Sequence, residues 1–221
     1  MTPASIENIN LLYSDPNIIA VDKPEGIASI SENDTSIETI HSLLEKKFEQ
    51  KIYVVHRIDK EVSGIILFAK NPETHKYLNR LFESRSIKKN YTALVHGSIK
   101  NDTGRIDKPI REFGSGRMGI DEKNGKRSIT DYKLLKKYKN FSLLDISIIT
   151  GRRHQIRVHL YSIDHPIAGD LRYGDKNIQS GFPRLMLHAG RIEFELKNAR
   201  KILIESRLPD SFTDYINQLS V

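Results

Sequence analysis

The sequence feature that most constrains the fold is a short run of almost entirely apolar residues at positions 64–69, which reads GIILFA. Such a run is typical of a β-strand and is far shorter than the roughly 20 residues that a membrane-spanning helix needs. Strands this apolar lie at the centre of a sheet, where both faces are covered. A second apolar run, 18–21, stands between two turn-forming segments, 15–17 and 23–26. The chain is therefore expected to fold around a sheet with a buried centre.

Helical and strand-like segments follow one another without regular alternation, which favours the α+β class. Helices are predicted after the capping-box pattern Thr35/Glu38, after Asn71-Pro72, from Arg153 onward, and from Pro209 to Leu219. Further strands are predicted at 91–95, 131–138, 141–149, 185–189, 192–196 and 202–205. We expect a single domain, 1–221, with a mixed, mostly antiparallel central sheet that is flanked by helices.

The segment Asn101–Lys126 is polar, glycine-rich and basic, and it predicts a loop or ribbon that reaches out from the core. Its residues 114–119 match the Gly-x-Gly-x-x-Gly pattern of dinucleotide-binding proteins. That motif requires a preceding strand and a following apolar helix, and neither is evident here. We therefore reject a nucleotide site at this segment.

The amino-acid composition restricts the classes of function that this chain can have. Thirty-five Lys and Arg residues against 28 Asp and Glu residues give a formal charge of +7, which favours polyanionic partners such as nucleic acid. A basic protein that has no such partner is the alternative. The chain has no cysteine, which excludes disulfides, thiolate catalysis and cysteine-based metal sites. Residues 1–8 lack the basic and apolar segments of a signal peptide, so we expect a cytoplasmic protein without membrane association.

The first candidate site is the segment 56–64, where the carboxylate of Asp59 lies among basic side chains just before the central strand. Neighbouring cations favour the ionised form of a carboxylate, and that form is the one that acts as a nucleophile. The alternative is an ordinary surface aspartate in ion pairs.

The second candidate site is the segment 150–160, where a turn leads into a predicted helix that is rich in arginine and histidine. Arg153 and Arg157 are four residues apart, so a helix would present both cations on one face. Such a helix start is suited to bind phosphate or carboxylate groups. The alternative is a solvated basic face, in which histidines such as His159 only satisfy internal hydrogen bonds.

These two segments resemble the signatures of the RluA-type pseudouridine synthases, which modify uridines in ribosomal and transfer RNA. The resemblance covers almost the whole chain from about Leu11 to about Leu219, and its ordered blocks are 23–26, 56–70, 89–93, 150–174 and 184–189. Two positions depart from the family pattern. Ile58 stands where leucine is more usual, and Arg153 stands where a small hydroxyl residue is common.

The resemblance implies a catalytic role for three residues. Asp59 matches the family nucleophile, which acts on either the ribose or the base. Arg157 matches the arginine that holds this carboxylate ionised, and Tyr91 matches the tyrosine that stacks on the target base. It also implies an active-site cleft across the sheet, and a reaction that needs no cofactor and no metal.

The remaining residues of the matched blocks are predicted to contact RNA. Arg57 is expected to fill the gap that the extruded uridine leaves. Lys23, Lys89, Arg152 and Arg153 are candidates for binding the RNA backbone, and His56 is included as a structural neighbour. The expected partner is large-subunit ribosomal RNA or transfer RNA, and the expected state is a monomer without an N-terminal S4-like domain. The competing hypothesis is a non-catalytic RNA-binding assembly factor with the same basic surface.

Overall fold

A computed structural model describes residues 9–31 and 37–220 of the chain. The chain divides into two compact units. Unit 1 comprises Met1–Lys88 and Ala189–Arg207, and unit 2 comprises Lys89–His188 and Leu208–Val221. Two of the sequence predictions, the signal-peptide assessment at residues 1–8 and the cap at Thr35, lie outside the described residues.

Unit 1 is built on a sheet with one helix on each face. The strands are β1 (Asn10–Ser14), β2 (Ile18–Lys23), β3 (Tyr53–Val54), β4 (Ser63–Ala69), β11 (Leu187–Glu195) and β12 (Lys201–Glu205). They follow the order β1-β2-β4-β11, with β3 beside β4 and β12 beside β11. The helices are α1 (Ile40–Phe48) and α2 (Pro72–Glu83). The pairs β1–β2, β2–β4, β3–β4 and β11–β12 are all antiparallel.

The central position of β4 explains its apolar sequence. Every residue of β4 is buried. Ile65 and Leu67 pack in one apolar cluster with Leu78 of α2, whereas Ile66 and Phe68 pack in another with residues of α1. Successive side chains of a strand point to opposite faces, so a sheet with a covered face on each side needs apolar residues at every position. The predicted buried strand is confirmed.

The helix starts in unit 1 follow local capping rules. The side chain of Asn71 accepts a hydrogen bond from Thr74 N at 2.8 Å, and Pro72 occupies the first turn, as predicted. Helix α1 begins at Ile40 and is capped by Thr39, whose side chain bonds reciprocally with Ser42. Thr39 thus provides a complete capping box directly before the first buried helical residue, and the predicted cap at Thr35 lies outside the described residues.

The strands of unit 2 are β5 (Lys88–His96), β6 (Thr103–Asp107), β7 (Ile110–Glu112), β8 (Met118–Ile120), β9 (Ile129–Lys137) and β10 (Phe141–Ile148). Four of them pair antiparallel in the order β5-β10-β9-β6, and β7 and β8 form a separate two-stranded ribbon. The helices of unit 2 are α3 (Gln155–Tyr161), α4 (Lys176–Gln179) and α5 (Asp210–Asn217). The predicted β9–β10 hairpin is confirmed.

The predictions for the segment Asn101–Lys126 and for the strands at 185–189 and 192–196 need correction. The segment Asn101–Lys126 is only partly a protruding ribbon, because β6 pairs with β9 as an edge strand of the sheet. The glycine pattern at 114–119 falls in the turn between β7 and β8 and in β8 itself, where no helix follows. The two strands predicted at 185–189 and 192–196 are one continuous strand, β11, because Gly190 does not interrupt the pairing.

Both units combine antiparallel strands with a few helices, so the predicted α+β class with a mostly antiparallel sheet is confirmed. Among the described residues, no helix has the length and apolar character needed to cross a membrane.

Candidate active site

Asp59 lies in unit 1, in the segment that connects β3 to β4, and the backbone of this segment is firmly held. The hydroxyl of Ser29 donates to Ile58 O at 2.8 Å and accepts from Ile58 N at 3.3 Å. Val62 N donates to Asp59 O at 3.1 Å. Ile58 and Val62 are both buried, whereas Asp59 is half-buried and Arg57 is exposed. The segment therefore fixes its backbone in the protein, while Asp59 as a residue is only half-buried.

Lys23 belongs to the support of this segment. Its side chain is fully buried, and its ammonium donates to Pro24 O at 2.9 Å, Ile27 O at 2.8 Å and Lys60 O at 3.0 Å. Gly26 N also donates to Lys60 O at 2.9 Å. The prediction that Lys23 binds the RNA backbone is therefore wrong. Three protein carbonyls face the three N–H donors of the ammonium, and burial keeps it from solvent.

His56 has a role inside unit 1. Its Nε2 accepts a hydrogen bond from Leu67 N at 2.8 Å, and its ring stacks on Phe82 with 4.8 Å between centroids. Because a backbone N–H can only donate, Nε2 carries no proton, and a neutral ring is protonated on Nδ1. A contact of Nε2 with RNA would have to break this hydrogen bond.

Gly64, at the start of β4, is required by the close approach of another strand. Its φ is +111°, and a Cβ at this position would lie 2.3 Å from Ala189 O. No side chain fits at that distance, and the conformation itself favours glycine. Gly64 thus lets β4 start directly after the Asp59 segment.

Three predicted residues of unit 2 lie on β5 or on the turn before α3. Tyr91 lies on β5 opposite Ile146 of β10, and only 9% of its surface is exposed. Lys89 is half-buried, and desolvation lowers the pKa of its ammonium to about 8. Its Nζ lies 3.7 Å from the position that a Cβ on Gly151 would take. Arg152, the next residue of that turn, is exposed. Lys89 and the turn at 151–152 are thus neighbours.

The turn before α3 is held by a side chain that the sequence analysis did not single out. Gln155 is buried, and its Oε1 accepts from Thr150 Oγ1 at 2.7 Å and from Arg152 N at 3.1 Å. Its Nε2 donates to Ile129 O at 2.9 Å and to Thr130 Oγ1 at 3.0 Å. Both ends of the amide are therefore satisfied, and they tie the turn to β9.

Arg157 is buried and paired with a carboxylate. Its side chain is 3% exposed, and its Nε and Nη2 donate to the two carboxylate oxygens of Asp170 at 2.8 Å each. Oδ1 of Asp170 also accepts from Arg172 N and Tyr173 N. This forked contact fixes the plane of the guanidinium. Asp170 was part of a matched sequence block, but its pairing with Arg157 was not predicted.

Arg153 and Arg157 do not present two cations together, so that prediction is wrong. Helix α3 begins at Gln155, after His154 in a left-handed conformation with φ of 54°. Arg153 therefore lies outside the helix, where it is exposed and bonds Glu112 of β7 at 3.0 Å. Arg157 instead points into the unit toward Asp170.

Tyr173 connects the ribbon to the start of α3. Its hydroxyl accepts from Met118 N at 3.2 Å and lies 2.8 Å from Nδ1 of His154. The Arg157 guanidinium lies 5.3 Å from the centre of its ring. Burial, chiefly, raises the pKa of Tyr173, so the phenol keeps its proton at neutral pH.

His159 is an internal histidine, as one of the two interpretations of the second segment expected. It is fully buried, with Nε2 at 2.9 Å from Lys108 O and Nδ1 at 2.8 Å from Thr130 Oγ1. Because a carbonyl only accepts, Nε2 carries the proton and Nδ1 accepts from the hydroxyl. Burial lowers the pKa of this imidazole, which is therefore neutral at pH 7.

The pKa of His159 predicts a loss of stability in mild acid. The folded-state pKa lies below the unfolded value of about 6.5, so the unfolded chain takes up a proton first as the pH falls. The free energy of unfolding that is present above pH 6.5 should therefore decrease below it. Urea unfolding at pH 7.5, 6.5 and 5.5 should show a steeper decrease for the wild type than for His159→Gln. Equal pH dependence in the two proteins would contradict this assignment.

The comparisons with known proteins all point to the same family. Residues 17–162 match the family model described as RNA pseudouridylate synthase. An uncharacterized RNA pseudouridine synthase of Zymomonas mobilis is 35% identical over 92% of this chain and 95% of its own length. The ribosomal large subunit pseudouridine synthase D of Nitrosomonas europaea is 36% identical over 91% of this chain and 62% of its own.

A solved structure also matches across almost the whole chain. The human RNA pseudouridylate synthase domain containing 1 superimposes with a TM-score of 0.81 and 28% sequence identity, over 96% of this chain and 89% of that one. The chain belongs to the RNA pseudouridylate synthase family. It is accordingly an RNA-modifying isomerase, and the resemblance noted in the sequence is confirmed.

Proposed function

We propose that this enzyme isomerises a uridine in large-subunit ribosomal RNA or transfer RNA, with Asp59 as the nucleophile. The observation that carries the proposal is the construction of the Asp59 segment. Its backbone is bonded to Ser29, Gly26 and the buried ammonium of Lys23, while Asp59 itself is only half-buried. A nucleophile needs such a fixed position with access for its substrate.

The reaction breaks the bond between C1′ of ribose and N1 of uracil and joins C1′ to C5 of the same base. The proton on C5 is then lost to solvent, and N1 gains a proton, so there is no net redox change. Asp59 attacks either the ribose or the base in this scheme. A base must leave its stack to be turned, and this is the role in which an aromatic face such as that of Tyr91 is useful.

The other residues support this reaction in different ways. We assign Arg157 to hold the nucleophile ionised, as the family resemblance implies; its fixed, buried guanidinium suits that role. Arg57 is exposed next to Asp59 and is proposed to fill the place of the extruded base. Lys89 and Arg152 are proposed to bind the RNA backbone. The catalytic domain in this proposal spans residues 1–221 and acts as a monomer in the cytoplasm.

The name of the Nitrosomonas relative makes large-subunit ribosomal RNA the first substrate to test. The protein should be incubated with two transcripts that carry 5-tritiated uridine, one of large-subunit ribosomal RNA and one of a transfer RNA. Tritium released into water reports the loss of the C5 hydrogen. Release from one transcript identifies the RNA class. Salt-sensitive binding without release from either would favour the non-catalytic assembly factor.

The pKa of Lys89 gives this proposal a pH signature. With a pKa of about 8, only about one in ten Lys89 side chains is charged at pH 9. A phosphate contact through this ammonium should therefore weaken between pH 7.5 and 9. Filter binding of the ribosomal transcript at constant ionic strength should show affinity falling several-fold in the wild type. Lys89→Arg keeps its charge over this pH range, so its affinity for the transcript should not change. If the affinities of both proteins fall in parallel with pH, Lys89 does not contact the RNA.

A further inference from the structure

Many arginines of unit 2 are neutralised by carboxylates. The ion pairs are Arg105–Asp131, Arg111–Asp121, Arg127–Asp107, Arg153–Glu112 and Arg157–Asp170. These pairs neutralise five arginines, so the excess positive charge of unit 2 comes from its other lysines and arginines, among them Arg117, Lys123 and Lys126.

That excess includes a group of lysines at the β9–β10 turn. We call Lys100, Lys136, Lys137 and Lys139 the turn lysines; all four are exposed. Within residues 9–31 and 37–220, none of them forms an ion pair with a carboxylate. Asp102 belongs to the same region, since its carbonyl accepts from Leu134 N at 2.7 Å. Four exposed cations without an ion-pair partner among the described residues give this region a positive charge, which repels itself in the absence of a partner.

Hydrogen bonds hold the backbone of the turn that carries these lysines. Tyr138 N donates to Phe141 O at 2.9 Å and closes the turn, while Gly97 N donates to Asn140 O at 2.8 Å. Lys139 N bonds Ser220 O at 3.2 Å, and the ring of Tyr138 is buried. The ammonium of Lys136 lies 4.9 Å from the centre of that ring. The backbone that carries these cations thus needs little ordering when an anion binds.

The turn lysines lie far along the sheet from Tyr91. Tyr91 of β5 pairs with Ile146 of β10, and His96, near the end of β5, pairs with Phe141, directly after the turn. The five residues from Tyr91 to His96 span roughly 17 Å at the usual strand rise. This surface is therefore separate from the residues assigned above to the target uridine.

We propose that the turn lysines form a second phosphate-binding surface, which holds a part of the RNA substrate remote from the target uridine. The enzyme acts on RNA, and lysines bind phosphates as point charges without reading sequence. A polyanion that extends along the sheet from Tyr91 reaches the turn lysines at the end of the β9–β10 hairpin. An acidic protein is the other polyanion that could bind here, but the family function favours RNA.

The test compares two double substitutions that remove the same charge. Lys137→Gln with Lys139→Gln weakens the patch, whereas Lys76→Gln with Lys201→Gln removes two exposed lysines of unit 1. Binding of a labelled large-subunit ribosomal RNA transcript is measured by filter binding over a range of salt. The patch variant should bind roughly tenfold more weakly and lower the slope of log affinity against log salt by about 1.5, since each lost phosphate contact lowers it by about 0.7–0.9. The control variant should stay close to the wild type.

Tritium release from the same transcript separates this inference from the proposed function. The patch variant should raise KM and leave kcat unchanged, because the lysines do not touch the reacting base. Equal losses of affinity in both double variants would overturn the proposal, because net charge alone would then explain them; unchanged affinity in the patch variant would overturn it too and would point to an acidic protein partner. If the wild type releases no tritium, the binding comparison still decides the role of the patch.

Discussion

Asp59→Asn should reduce the rate of tritium release by roughly 10⁴- to 10⁶-fold, the range expected when a nucleophile is removed. Asparagine keeps the shape of the side chain, and the backbone bonds that fix the segment come from Ser29, Gly26 and Lys23. The free energy of unfolding and the affinity for RNA should therefore stay near the wild-type values. The loss should appear in kcat under saturating RNA.

Glu61→Gln is the matched control for this prediction. It removes a negative charge from the same segment, two residues away, on an exposed side chain. We expect its rate to stay within a few-fold of the wild type. Comparable losses in the two variants would mean that the activity depends on the negative charge of the segment. They would contradict the role of Asp59 as the nucleophile.

Asp170→Asn should have the second largest effect, on both stability and activity. The substitution removes the negative charge of Asp170 from the Arg157 guanidinium, which is buried at 3% exposure. Removal of one partner from a buried ion pair typically costs about 3–5 kcal/mol of unfolding free energy. Urea unfolding should show this loss, and tritium release should fall because the plane of Arg157 is no longer fixed.

The double variant Arg157→Met with Asp170→Asn separates these two effects. It removes both charges of the buried pair, while the amide oxygen of the asparagine can still accept from Arg172 N and Tyr173 N. We therefore expect most of the unfolding free energy to return while tritium release stays at least about 100-fold below the wild type. A double variant that is both stable and fully active would show that the pair serves the fold alone.

The parts of the fold that the sequence predicts well are those with strong local signals. The apolar run of β4 and the Asn71-Pro72 helix start depend on adjacent residues, and both are confirmed. The beginning of α3 was misplaced because His154 adopts a left-handed conformation that interrupts the apparent helical spacing of Arg153 and Arg157. No local pattern marks that conformation for a histidine.

The candidate site was harder to predict wherever long-range contacts decide the role of a charged residue. Lys23 resembles any exposed lysine in sequence, yet it is buried because the carbonyl of Lys60, 37 positions away, accepts one of its hydrogen bonds. Arg157 is buried because Asp170, 13 positions away, supplies the opposite charge. Gln155 was overlooked for the same reason, since Ile129 and Thr130 of β9 satisfy its amide.

The most direct test of the central claim is to count pseudouridine in treated RNA. A large-subunit ribosomal RNA transcript and a transfer RNA transcript are each incubated with the wild type or with Asp59→Asn, digested to nucleosides and separated by chromatography. We predict that the wild type produces pseudouridine at the expense of an equal amount of uridine in one of the two RNAs, and that Asp59→Asn produces none. Pseudouridine formed equally by both proteins would contradict the role of Asp59, and its absence from both RNAs would contradict the proposed substrates.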